Sequence, residues 1–142
     1  MDIAVSACLL GYKCRYDGKT NKNDLVIALG KEHNLCPICP EVYGNLGTPR
    51  SPSEIIGDKV FNKDGIDVTD NFNNGANLAY KIVDMRGIKY AILKAKSPSC
   101  GKGLIYDGTF SGKLCEGDGV TTKLFKEKGI IVYTENDDWN FI

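Results

Sequence analysis

Tyr90-Ala91-Ile92-Leu93-Lys94-Ala95-Lys96-Ser97-Pro98-Ser99-Cys100-Gly101 is the stretch on which the fold turns. Tyr90 to Leu93 read as a buried strand, whose carboxyl end opens into a Ser-Pro-Ser-Cys-Gly loop. In open α/β sheets, ligands bind outside the carboxyl ends of the strands. Just upstream, a helix begins near Thr69 or Asp70: Phe72, Ala76, Ala79, Tyr80 and Val83 fall on one face, and Gly87 is its stop.

Toward the amino terminus, residues 3–6 form a short β-like run that breaks into a loop from Cys8 to Thr20. Asn23 is suited to cap a short helix carrying Leu25, Ala28 and Leu29 and ending near Gly30. Residues 35–39 are apolar but punctuated by Pro37 and Pro40, a strand end running into a loop that continues through Arg50. A strand or hairpin around 59–62 leads to an Asp64-Gly65 turn. Toward the carboxyl terminus, Asp107-Gly108 separates two short strands within 104–114. Asp118 is placed to cap a last helix through Leu124 and Phe125 to Gly129, residues 130–133 form a final strand, and 136–142 carry little pattern. This alternation predicts an α/β fold: a single domain over 1–142, with a mainly parallel Rossmann-like sheet, flanking helices and a hairpin insertion.

A chain of 142 residues can bury a core without staples, and 42% hydrophobic with 25% charged residues is an ordinary globular composition. Lys plus Arg and Asp plus Glu both count 18, so no overall field recruits a nucleic-acid polymer or an anionic membrane. The first residues lack the basic leader of a secretory signal, and no stretch approaches the roughly 20 apolar residues that span a bilayer. A cytoplasmic protein is expected. In that reducing compartment the six cysteines stay as thiols, and their default reading becomes metal binding or catalysis.

Cys8, Cys39 and Cys100 each follow an apolar run by a few residues, so in a parallel sheet all three emerge at one edge, as an iron-sulfur cluster would require. Free cysteine is more commonly a small buried hydrophobe. Here Pro and Gly neighbours argue against regular packing of Cys39 and Cys100. Cys36 and Cys39 form a CxxC, which keeps two rivals open. One is a structural or interaction module with zinc on Cys8, Cys14, Cys36 and Cys39, leaving Cys100 without a role. The other is a dithiol redox pair, against which Pro40 argues, because such a motif should open a helix. Cys115 reads as structural, and His33 is assigned no function.

Val5-Ser6-Ala7-Cys8-Leu9-Leu10-Gly11, Cys14-Arg15-Tyr16-Asp17-Gly18, Cys39-Pro40-Glu41, Thr48-Pro49-Arg50 and Ser97-Pro98-Ser99-Cys100-Gly101, in this order, resemble the DUF523 family. So does the ending Gly112-Lys113 with Gly117-Asp118-Gly119-Val120. The resemblance covers nearly the whole chain, with departures at Asn45 and Gly47, where the family usually shows Gly and Pro. The family includes the thiouracil desulfidases, which look like enzymes carrying a 4Fe-4S cluster on three cysteines with one iron free to take the substrate sulfur. What this implies here is a cluster on Cys8, Cys39 and Cys100 and a small thiolated substrate, either a 2-thiouracil-like nucleobase or a similar thioamide. It also implies an acidic residue and a serine beside the cluster, matched by Glu41 and Ser99, with Ser97 the alternative serine.

On that reading the C–S bond is cleaved without redox change, water attacking the thiocarbonyl carbon with Glu41 as general base or acid. Arg15, Arg50, Lys94 and Lys96 flank the motif loops and could bind a polar substrate edge, though an ordinary surface charge is the commoner role. Tyr16 and Tyr43 could stack on a planar base, and Ser97 could hold substrate.

Overall fold

Short apolar runs separated by glycine, proline and polar turns build the elements of the computed structural model, which describes residues 1–140. In chain order these are β1 (Asp2–Ser6), α1 (Asp24–Ala28), β2 (Asn34–Ile38), α2 (Pro40–Tyr43), β3 (Ser53–Ile56), β4 (Lys59–Asn62), α3 (Thr69–Met85), β5 (Tyr90–Leu93), β6 (Leu104–Tyr106), β7 (Leu114–Glu116), α4 (Val120–Glu127) and β8 (Ile131–Thr134). The tail expected to be featureless ends in residues 141–142, which lie outside the described residues.

β2, β1, β5 and β8 form a parallel sheet in that order. Successive side chains on a strand point to opposite faces, so each inner strand feeds two cores. Ile3, Val5 and Ile92 pack with Leu9 and Val26 on one face, under α1. Ala4, Ala91 and Leu93 pack with Ala79, Val83 and Phe125 on the other, under α3 and α4. From β1 the chain crosses to β2 on one side, and from β5 it crosses to β8 on the other. The strand order therefore reverses between β1 and β5, and the crevice outside their carboxyl ends is a topological switch point.

Local chemistry sets the boundaries. Asn23 caps α1 by accepting from the Val26 N–H at 3.1 Å. α3 covers the expected span and gives way to Gly87 at φ 64°. α4 begins on Gly119 rather than on an Asp118 cap: the Asp118 carboxylate instead accepts from Gly103 N at 2.9 Å and pairs with Lys126 at 2.8 Å.

Two antiparallel hairpins stand beside the sheet: β3–β4 over the strand or hairpin expected around 59–62, and β6–β7, whose second strand begins only at Leu114 because residues 107–113, not Asp107-Gly108 alone, make its turn. The stretch from Cys39 to Arg50 is not all loop. Pro40 occupies the first turn of α2, where its missing N–H costs nothing, and Cys39 is the cap. Asn45 follows at φ 66°, a conformation that glycine adopts freely and asparagine tolerates, which accounts for Asn where the family usually shows Gly.

α2 crosses α3 with almost nothing between the backbones. A Cβ on Gly75 would lie 1.9 Å from the Pro40 carbonyl oxygen, and one on Gly44 would lie 2.0 Å from that of Asn71. Asn71 Nδ2 donates to the Gly44 carbonyl at 2.8 Å across this crossing.

Candidate functional site

Three turns leave the sheet at the switch point. After β1 a single 3-10 turn, Ala7–Leu10, carries Cys8, and its Gly11 closes in the left-handed region at φ 98°. After β2, Cys39 caps α2. After β5, the loop that holds Cys100 is clamped from both sides. Ser97 Oγ accepts from Ser99 N at 3.1 Å and Cys100 N at 3.0 Å. The first N–H groups of α4, which lack helical partners, donate to Pro98 O (from Val120, 2.9 Å) and Ser99 O (from Thr121, 2.8 Å).

The three turns surround a cavity of about 500 Å³, a volume ordinary for small-molecule sites. Cys8, Cys39 and Cys100 all line it, as the sequence predicted, and so does a fourth thiol, Cys14. Cys14 shares the wall with the first two and is close enough to influence both thiols. Interaction with it is the main cause lowering the Cys8 thiol and the main cause bringing Cys39 down to about 7, while Cys14 itself is pushed up. Burial pushes Cys100 up to about 12, against a hydrogen bond from the Ser6 hydroxyl.

Cys36 is elsewhere. It is 4% exposed, packed with Ala79 and Val83, and its charged neighbours are Arg86 and Asp2 at the other end of the sheet. The four-sulfur set Cys8, Cys14, Cys36 and Cys39 is therefore not assembled, and the CxxC does not bring two thiols to one place. Among the described residues, no three His, Cys, Asp or Glu side chains converge on a single-ion site. The cavity thiols are spread around a wall. Cys115, expected to be structural, lies exposed on β7.

Glu41 lines the cavity with its side chain 18% exposed, and its Oε1 accepts from Arg50 Nε at 3.2 Å. Burial raises its pKa and the Arg50 charge opposes that rise. Arg50 is a hub as much as a substrate candidate. Nη1 donates to Gly47 O and Thr48 Oγ1 at 3.2 and 3.1 Å, and Nη2 to Cys14 O at 2.8 Å, which joins the Glu41 helix to the Cys14 loop.

The two serines separate. Ser99 is 1% exposed and its hydroxyl is bonded to Thr121 Oγ1 at 2.8 Å; it does not line the cavity, whereas Ser97 does. The geometry thus turns the expectation from Ser99 to its alternative. Ser97 Oγ receives two N–H groups, which leaves its own proton for the cavity side.

Arg15 and Tyr16 both line the cavity wall, with the guanidinium 5.7 Å from the Tyr16 ring centre. Arg15 is engaged by Asp17 and Asn21 at 3.0 Å each. Tyr43 packs against the core and does not reach the cavity. Lys96 and Lys94 line it, and Lys94 is held by Glu135 at 2.8 Å.

Ser6, Asn21 and Glu135 were not anticipated. For Ser6 a signal existed, a polar residue ending a buried apolar strand. Asn21 and Glu135 are polar residues in polar stretches and carry none.

Residues 3–137 match the model of a family described as 2-thiouracil desulfurase. The chain is 40% identical to the uncharacterised protein YbbK of Bacillus subtilis (strain 168), over 95% of this chain and 96% of that one. Its fold is similar to that of a 4Fe-4S-dependent thiouracil desulfidase, TudS (DUF523Vcz). That match has a TM-score of 0.90 and 46% identity, and covers 95% of this chain and 91% of the other.

Proposed function

Since the chain belongs to the 2-thiouracil desulfurase family, we propose that it is an iron-sulfur-dependent desulfidase acting on a 2-thiouracil-like nucleobase or similar thioamide, with a 4Fe-4S cluster held by Cys8, Cys39 and Cys100. One observation carries the reading: three cysteines from three strand-end turns line one cavity together with Glu41 and Ser97. The donor set suits the group, being all thiol, drawn from separate turns and free of histidine. A cluster on three protein ligands would supply an iron able to take a thiocarbonyl sulfur and make its carbon electrophilic without change of redox state.

The remaining work falls to the chain. Glu41, held between burial and the Arg50 charge, is set to take a proton from water and return it. Ser97 donates its hydroxyl proton toward substrate or water. Tyr16, 42% exposed at the rim, offers an aromatic face to a planar base, and Arg15 and Arg50 line the same wall. Lys94, fixed by Glu135, lines the same cavity as Cys8, and its positive charge helps to lower that thiol. We place the protein in the cytoplasm as one domain over 1–142, with a small thiolated molecule and no nucleic-acid polymer as its partner. No helix among the described residues is long and apolar enough to cross a membrane.

The test is anaerobic purification with iron, sulfide and zinc analysis, followed by assay of sulfide release from 2-thiouracil. The cluster formula requires about four irons and four sulfides per chain. Near-stoichiometric zinc without iron after anaerobic reconstitution would sink the reading.

A further inference from the structure

The loop between Gly11 and Asn23 closes on Cys8 by three bonds. Thr20 Oγ1 donates to the Cys8 carbonyl at 2.9 Å, the Asn21 backbone N–H donates to the same oxygen at 3.1 Å, and Asn21 Nδ2 lies 3.4 Å from the Cys8 sulfur. The oxygen and nitrogen of an asparagine amide cannot be told apart by shape. Here the neighbours decide. Arg15 Nη1 sits 3.0 Å from Asn21 Oδ1, and a guanidinium has only donors, so the amide oxygen must face Arg15 and the NH₂ must face the sulfur. Asp17 fixes Arg15 in turn, Oδ2 at 3.0 Å from Nη2. Asp17, Arg15, Asn21 and Cys8 thus form a one-way chain of donors and acceptors that ends on sulfur. Asn21 is the single side-chain amide on the cavity wall among the described residues.

We propose that Asn21, oriented by Arg15, is a positioning residue for the cluster: a fixed N–H donor to the Cys8 sulfur, through which Arg15 acts on the bound iron-sulfur group rather than on substrate. This rests on Cys8 being a cluster ligand, as proposed above. An N–H aimed at a ligand sulfur stabilises the reduced, more negative cluster more than the oxidised one, and hydrogen bonds to the sulfurs are among the controls of cluster potential. The contact also restrains the Cys8 side chain, as outer partners restrain metal ligands generally.

The experiment compares wild type, Asn21→Ala, Asn21→Asp, Arg15→Met and the Asn21→Ala/Arg15→Met double variant. Each is reconstituted anaerobically, its iron and sulfide counted, and its midpoint potential read by redox titration. Asn21→Ala should move the potential to more negative values by up to tenfold in the one-electron equilibrium, about 59 mV. Arg15→Met should move it the same way by less, and the double variant no further than Asn21→Ala alone, because Arg15 works through Asn21. Asn21→Asp keeps the volume and an Arg15 partner but has no N–H, and should shift at least as far.

An unchanged potential in Asn21→Ala at wild-type iron content overturns the proposal, as do additive shifts in the double variant. If Asn21→Ala does not hold iron, Asn21→Asp decides by the same criterion, and after it Arg15→Met. Wild-type protein that takes up no iron would instead overturn the cluster itself, a distinguishable result.

Discussion

Cys36 lies mid-strand in β2, opposite Ala4, with its thiol against α3 and its pKa raised by burial; Cys39, three residues on, caps α2 at the cavity, with its thiol lowered to about 7. The contrast extends to the two ends of the sheet that flank them. At the amino end, Asn34 Nδ2 meets Asp2 Oδ1 at 2.9 Å in the open, an ordinary surface pair. At the carboxyl end the chain turns inward after β1, β2 and β5. Four thiols, the Glu41–Arg50 pair and Lys94, itself held by Glu135, end up around one half-buried space. The lesson is that position relative to the strand end, more than spacing along the chain, decides what a cysteine does. Inside a strand it is packing, and one turn beyond it can be a ligand.

The largest effect that can break this comparison is on iron content. Cys100→Ala and Cys39→Ala should lose the cluster entirely, whereas Cys36→Ala should keep full iron and lose only about 1 kcal/mol in chemical denaturation. A folded Cys36→Ala without iron would erase the distinction. Next comes Glu41→Gln, expected to lower the desulfidation rate by about 10²- to 10⁴-fold at unchanged iron content. Its counterpart at the amino end, Asp2→Asn, should leave the rate alone and change stability by no more than about 0.5 kcal/mol.

The smallest effect sharpens the cysteine pair itself. In iron-free protein at pH 8, Cys39 stands above its pKa of about 7, is largely thiolate and should alkylate readily, while Cys36 reacts only on unfolding. Below pH 6 the Cys39 rate should fall about tenfold per pH unit as the thiolate takes up its proton. Mass spectrometry of the alkylated peptides reads both sites.

The four strands of the parallel sheet, α1, α3 and the gathering of Cys8, Cys39 and Cys100 at one sheet edge were legible because each rests on local pattern: apolar runs, an Asn cap, a helical stripe and thiols just past strand ends. Glu41 was legible through its motif. α2 was not, because Pro40 and the glycines around it look like loop, and a proline at the first helical position is a start signal that the same residues disguise. Ser97 and Ser99 could not be separated by spacing. Which one meets the cavity depends on α4, whose Thr121 takes the Ser99 hydroxyl from a distant part of the chain. Asn21 was invisible for the same reason: its value lies in Arg15 and Cys8 meeting it in space.

The crossing of α2 on α3 has a consequence for anyone who would transplant this site. Cys39 and Glu41 ride on a helix of 4 residues, too short to hold its own shape in water, whose seat is the bare backbone of α3 at Gly75. A graft that carried only the strand-end turns would leave these two side chains without a datum. The smallest portable unit includes a long helix that contributes no residue to the cavity wall, and a single added methyl at Gly75 would put that unit out of true.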